Sequence, residues 1–130
     1  MSNTIPYSRE YFPPAPILLV ALAVPEGDST LGSFSALVDT GSDGTFVSTT
    51  LLEELGVPVT YMTRVRSHVG ENMHQAPVHR VDLPFSGSIR LPGIEAVGDD
   101  WGDQVIIGRN VLNKLLLLLN GPGHVLEVLG

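Results

Sequence analysis

Cysteine is absent from the 130 residues, which excludes thiol nucleophiles, disulfides and cysteine-based metal sites. Basic residues are few: seven Lys plus Arg stand against fourteen Asp plus Glu, for a net charge of −7. They are scattered rather than clustered, so nucleic acid and anionic membrane surfaces are excluded as expected partners. Long apolar runs are also missing. The greasiest stretches, Ile17 to Val24 and Leu115 to Leu119, fall far short of the roughly 20 residues that span a bilayer, and both read as buried strands. The segment Met1 to Pro16 lacks the basic start, apolar stretch and small-residue cleavage site of a secretory signal, which makes a cytoplasmic location the expectation.

What is present is turn chemistry joined to aliphatic strands. Hydrophobic residues make up 43% and charged residues 16%, with 14 Gly and 10 Pro against four Phe, three Tyr and one Trp. That composition describes a globular, β-rich chain, and its length suits a single domain. Residues 1–16 carry Pro6, Pro13, Pro14 and Pro16 and read as an extended arm, because proline disfavours helix there. Residues 17–130 read as the folded domain. Ile17 to Val24 and Leu31 to Val38 flank the turn formers Pro25 to Ser29 and predict a hairpin. A short helix is expected over Thr49 to Leu55, capped by Ser48 or Thr49 and stopped by Gly56 and Pro58. Val57 to Leu91 reads as strand, Glu95 to Asp103 as loop, and Gln104 to Ile107 as strand. A second short helix is expected near Arg109 to Lys114. The hairpin Leu115 to Leu119 and His124 to Leu129 turns at Asn120 to Gly123.

Chemistry concentrates at Ala36-Leu37-Val38-Asp39-Thr40-Gly41-Ser42-Asp43-Gly44, where an apolar strand runs into a carboxylate, a hydroxyl and glycines. Alone, Asp-Thr-Gly is a common turn, with Asp opening it and Thr bonding back to the backbone. Ordinary residue usage produces the triplet by chance in roughly one chain in fifty of this size. A second strand-glycine-helix unit, Val105-Ile106-Ile107-Gly108-Arg109-Asn110-Val111-Leu112, changes that weighting and suggests an internal pseudo-repeat.

Together the two segments resemble the retropepsin family of single-domain aspartic proteases, in which Asp-Thr-Gly-Ser/Ala is followed late in the chain by Ile-Ile/Leu-Gly-Arg-Asn/Asp. The resemblance covers about Leu18 to Leu129. It implies a mostly β fold, a closed retropepsin-like barrel with one or two short helices and a β-hairpin flap. It implies an aspartic endopeptidase with Asp39 as catalytic carboxylate, Thr40 bonding across a dimer axis and Gly41 approaching the substrate. Because the chain has one Asp-Thr-Gly and the chemistry needs two carboxylates sharing a proton, the second Asp39 is expected from a second subunit of a C2 homodimer. No cofactor and no metal is called for, and the expected substrate is an extended peptide or protein.

By the same resemblance Ser42 bonds the outer carboxylate oxygen, Asp43 and Arg109 form an ion pair, and Ser42, Asp43, Gly44 and Ile107 line the substrate. The flap falls at Arg66 to Val78, with Val69, Gly70 and Glu71 at the substrate and its tip at Gly70 to Asn72. This flap departs from the glycine-rich, apolar viral pattern. His68, Glu71, His74 and His79 lie in or beside it, but their spacing is not the His-Glu-x-x-His helix signature of zinc enzymes, and polar residues on an exposed hairpin are the expectation. Viral relatives interleave their termini across the dimer, whereas here Tyr7, Tyr11 and Phe12 sit in a longer arm that either packs on the partner or is disordered. A weaker alternative is a dimeric scaffold that binds extended peptides with little or no turnover.

Overall fold

Alternation of aliphatic and polar residues, punctuated by glycine and proline, produces short strands that curl around one core. The computed structural model describes residues 3–66, 73–85 and 89–129. In chain order the elements are β1 (Asn3–Pro6), β2 (Ile17–Ala23), β3 (Thr30–Val38), β4 (Thr45–Ser48), α1 (Thr49–Leu55), β5 (Val59–Arg66) and β6 (Met73–Pro84). They continue with β7 (Arg90–Asp99), β8 (Val105–Ile107), α2 (Arg109–Leu112), β9 (Leu116–Asn120) and β10 (Val125–Leu129). Among the described residues no helix is long and apolar enough to cross a membrane.

One sheet runs β2-β3-β8-β4-β7-β6-β5, and β2 also pairs with β6 through Ala23 opposite Asp82. A further bridge joins Val20 to Phe85. Six strands therefore close into a barrel, which removes free edges around the ring, while β5 continues as a hairpin with β6. The expected mostly β, retropepsin-like barrel is the observed fold. Its interior holds Leu18, Leu22, Val47, Leu52, Val81, Leu83, Ile107 and Val111, all 0–1% exposed, each contributing about 1.5–3 kcal/mol by burial. Helix α1 spans its expected range and ends at Gly56, whose φ of 83° lies in the left-handed region that glycine adopts without strain.

Two expectations needed correction. Glu95 to Asp99 is strand rather than loop: it completes β7, pairing with β6 and, in parallel, with β4. Local polarity suggested a loop, but buried Ala96 and Gly98 let two neighbouring strands close on this segment. Helix α2 is a single turn, shorter than Arg109 to Lys114, because the next residues must enter β9.

The first residues form β1, which pairs with β10 of the same chain, and β10 pairs in turn with β9. Tyr7 stacks on His124, with ring centroids 5.8 Å apart. It packs within its own chain, while Phe12 is fully exposed.

The barrel seam carries a polar clasp. A register shift between Val81 and Leu83 turns the carboxylate of Asp82 into the wall, as bulges re-aim side chains. Asp82 accepts from the amides of Glu26 (3.0 Å) and Gly93 (2.8 Å) and from Arg90 Nε (3.0 Å) and Nη2 (2.8 Å). Arg90 Nη2 also donates to the Gly27 carbonyl at 2.8 Å, so the clasp ties the β2–β3 turn to β6 and β7. Burial alone would raise the Asp82 pKa, but the two amides and the guanidinium outweigh it and hold the carboxyl below its ordinary value of 3.8. A depressed native pKa adds stability that is complete above the unfolded value and is lost as pH falls through the native one. Arg90→Met should therefore cost about 1.5–3 kcal/mol at neutral pH, measured by urea unfolding. The deficit should shrink as acid neutralises Asp82.

Candidate active site

Parallel pairing of β3 with β8, Ala36 to Val105, Leu37 to Ile106 and Val38 to Ile107, brings the two motifs recognised in the sequence side by side. Both strands end at the same level. The Asp39 amide donates to the Ile107 carbonyl at 3.0 Å and the Val38 amide to the Pro16 carbonyl at 3.1 Å, so Asp39 leaves the sheet at a pinned position. The Gly41 amide then donates to Asp39 Oδ1 at 2.9 Å, orienting the carboxylate. Asp39 is half-buried, and Thr40 and Gly41 beside it are exposed. Among the described residues the Thr40 hydroxyl has no hydrogen-bond partner within the chain, leaving it free to bond outward.

The second motif grips the loop from behind. The Arg109 amide donates to the Ser42 carbonyl at 2.8 Å, and Arg109 Nη1 donates to the Thr40 carbonyl at 2.8 Å. Gly108 leaves no room for a side chain: a Cβ there would collide with the Gly44 carbonyl and reach 2.8 Å from the Ser42 carbonyl. Thr45, fully buried, accepts from the Gly108 amide at 3.2 Å and donates to Asn110 Oδ1 at 2.7 Å. Asn110 in turn donates to the Glu95 carbonyl at 3.0 Å. Loop, helix and β7 are thereby joined by one network, buried at Thr45 and Gly108 and exposed where Asn110 meets Glu95. Thr45 carries no chemical signature in the sequence, since its role depends on a partner 65 residues away. Asn110 is legible only as part of the late motif.

Several expected contacts differ. Ser42 Oγ donates to the Gly44 carbonyl at 2.7 Å instead of to the carboxylate of Asp39, because the loop turns back on itself. Among the described residues the only ion pair is Arg90 with Asp82; Asp43 and Arg109 do not meet, since the guanidinium is engaged by Thr40. Ile107 is fully buried in the core and does not line a cleft. Strand alternation explains the difference: Val105 and Ile107 face inward, whereas half-buried Ile106 lies opposite Leu37 and Phe46, both also half-buried. Val69, Gly70 and Glu71, like His68 and Asn72, lie outside the described residues. His74 is exposed, while His79 is buried with Nδ1 3.0 Å from the Val57 carbonyl. Among the described residues no three metal-ligating side chains of His, Asp or Glu come together.

Beside the loop, under β5, lies a cavity of about 280 Å³ lined by Asp43, Gly44, Phe46, Tyr61, Val97 and Asn110, among others. Phe46 sits opposite Val97, and Val97 opposite Val78, so its floor is an apolar row crossing β4, β7 and β6. At its rim the nearby Glu95 carboxylate raises the Tyr61 pKa above its ordinary value of 10.0, with a smaller contribution from burial and an opposing one from the charge of Arg80. An apolar floor with a few polar groups at the edge suits one side chain of an extended ligand.

The site is thus a carboxylate at the tip of a strand-loop, backed by a glycine and a short helix that follow a parallel strand. The aspartyl protease family profile matches residues 26–111, and the chain belongs to that family. Among solved structures it is similar to a retropepsin-like aspartic protease from Rickettsia conorii, with a TM-score of 0.67 and 14% identity over 98% of this chain and 90% of that one. It is also similar to the retroviral protease-like domain of Ddi1 from Leishmania major, with a TM-score of 0.51 and 18% identity over 87% and 92% of the two chains. A comparison with curated proteins finds no match.

Thr45→Val keeps the shape of this buried position but strands the Gly108 amide and the Asn110 amide group. A loss of about 1–3 kcal/mol is expected, read by thermal or urea unfolding.

Proposed function

We propose that the protein is a homodimeric aspartic endopeptidase whose active site is assembled from two copies of Asp39. The observation that carries this reading is a single half-buried carboxylate, oriented by the Gly41 amide at 2.9 Å, on a loop whose outer edge is open. Hydrolysis of an unactivated amide without metal or covalent nucleophile needs a base for water and an acid for the carbonyl oxygen. Two carboxylates held together do both, since neighbouring like charges keep one of them protonated.

In the proposed cycle the ionised Asp39 takes a proton from water as the water oxygen bonds to the scissile carbonyl carbon. The protonated Asp39 of the other subunit gives its proton to the carbonyl oxygen. The resulting gem-diol collapses: one of its hydroxyl protons returns to a carboxylate, the leaving nitrogen receives a proton from the dyad, and the C–N bond breaks. Thr40, with a free hydroxyl, meets its mate across the axis and braces both loops. The cavity floored by Phe46 and Val97 receives a substrate side chain, Asp43 and Gly44 border it, and the β5–β6 hairpin covers the peptide by strand addition. Family membership and the retropepsin-like fold support this reading. A peptide-binding scaffold without turnover would retain library peptides without generating new termini.

Asp39→Asn should reduce cleavage of a peptide library by about 10²–10⁴-fold or more with little change in fold, measured by mass spectrometry of new termini alongside circular dichroism. The pH–rate profile of the wild type should be bell-shaped, bounded by two macroscopic pKa values of the dyad, with activity in the acidic to near-neutral range. Undiminished cleavage by Asp39→Asn would sink the proposal.

A further inference from the structure

The terminal sheet constrains how two subunits can meet. Strand β10 is paired on both edges, with β1 on one side and β9 on the other. It therefore has no edge to offer a second chain, and the amino-terminal strand is already spent on its own carboxy-terminal hairpin. Among the described residues the strands with a fully unpaired edge are β1, β5 and β9. The β1 edge ends in Pro6, which lacks an N–H. The β5 edge carries Arg64 and Arg66, charges of the kind that discourage edge pairing. Strand β9 has neither device: it reads Leu-Leu-Leu-Leu-Asn, with Leu116 65% exposed, Leu118 46% and Leu119 49%.

Leu119 is the telling member of this strand. It lies opposite Leu126, which lies opposite Ile5, and those two are 0% and 4% exposed. Leu119 therefore belongs to the core-facing side of the sheet, yet half of it is bare because the core stops at this edge. Charge points to the same place. Each chain carries −7, so two copies repel except where carboxylates are missing, and no Asp or Glu occurs from Lys114 to Leu126. Three residues separate α2, which holds the Asp39 loop, from the start of β9.

We propose that the occupant of this edge is β9 of a second copy, paired antiparallel about a two-fold axis in the order β1-β10-β9-β9-β10-β1. Each subunit keeps its own amino-terminal strand, so the termini do not interleave. This inference rests on the two-carboxylate reading and names the interface that completes it. Directly opposed residues of an antiparallel pair share a face, so a two-fold axis between identical strands must set one residue opposite its own mate. Leu118, at the centre of β9, is that residue.

Because the chain is free of cysteine, single substitutions report without background. Opposed residues have Cα atoms about 4.5–5.5 Å apart, within disulfide reach, so Leu118→Cys under mild oxidation should yield a covalent dimer. Thr4→Cys combined with Glu127→Cys, opposed in β1 and β10, should close inside one chain and leave a monomer mass on a denaturing gel. Leu116→Lys with Leu118→Lys, both exposed on the solvent side, should weaken the dimer at least about tenfold by sedimentation, with activity recovering at higher protein concentration.

If wild type sediments as a dimer but no single cysteine substitution from Leu116 to Asn120 cross-links, the β9 edge is wrong and the two-carboxylate reading stands. Covalent dimers from the Thr4 and Glu127 pair would overturn the separate termini. A wild type that stays monomeric overturns the edge, and if it cleaves peptides in that state the two-carboxylate reading falls with it.

Discussion

Close backbone contact of Gly108, which has no side chain, with the Ser42–Gly44 turn is the constraint on which the rest of the site depends. The Arg109 amide reaches the Ser42 carbonyl only because nothing stands on Gly108. That approach fixes the level at which β3 ends, hence where Asp39 emerges, and it presses Thr45 into the position where its hydroxyl serves both Gly108 and Asn110. A carboxylate that must share a proton with its mate tolerates little displacement, since the coupling between like charges falls with distance. Rigidity here is built from backbone bonds rather than from the ion pair expected between Asp43 and Arg109.

The barrel supplies the counterpart of that rigidity at its other seam. Asp82 and Arg90 tie the turn after β2 to β6 and β7, and β7 is the strand that receives Asn110 and floors the cavity. The protein thus joins a polar clasp at the closure to a backbone clasp at the site, with aliphatic packing between them. The clasp at Asp82 weakens as pH falls through a carboxyl pKa held below 3.8.

Much of this could be read from residues in order. Asp39-Thr40-Gly41 and Ile107-Gly108-Arg109 are contiguous motifs, and contiguous motifs survive in a sequence whatever the fold does with them. The hairpin of β2 and β3, helix α1 and the β9–β10 hairpin were legible because turn formers and aliphatic runs are local signals. Glu95 to Asp99 misled because its strand character comes from Ala96 and Gly98 meeting β4 and β6, not from its own polarity. Ile107 misled through register: one position decides whether a side chain faces core or cleft, and Ile106 occupies the open side.

Sequence alone determined the chemistry available: one Asp-Thr-Gly motif, no thiol and few basic residues. Those properties are set by which residues exist and need no geometry. Tertiary structure decided which groups touch. It sent Ser42 to Gly44 and Arg109 to Thr40, placed Thr45 beneath the loop, and gave β10 two neighbours from its own chain so that β9 became the bare edge. Such choices follow from long-range pairing, where each backbone group bonds whatever the closing barrel brings to it, and no local pattern records that outcome in advance.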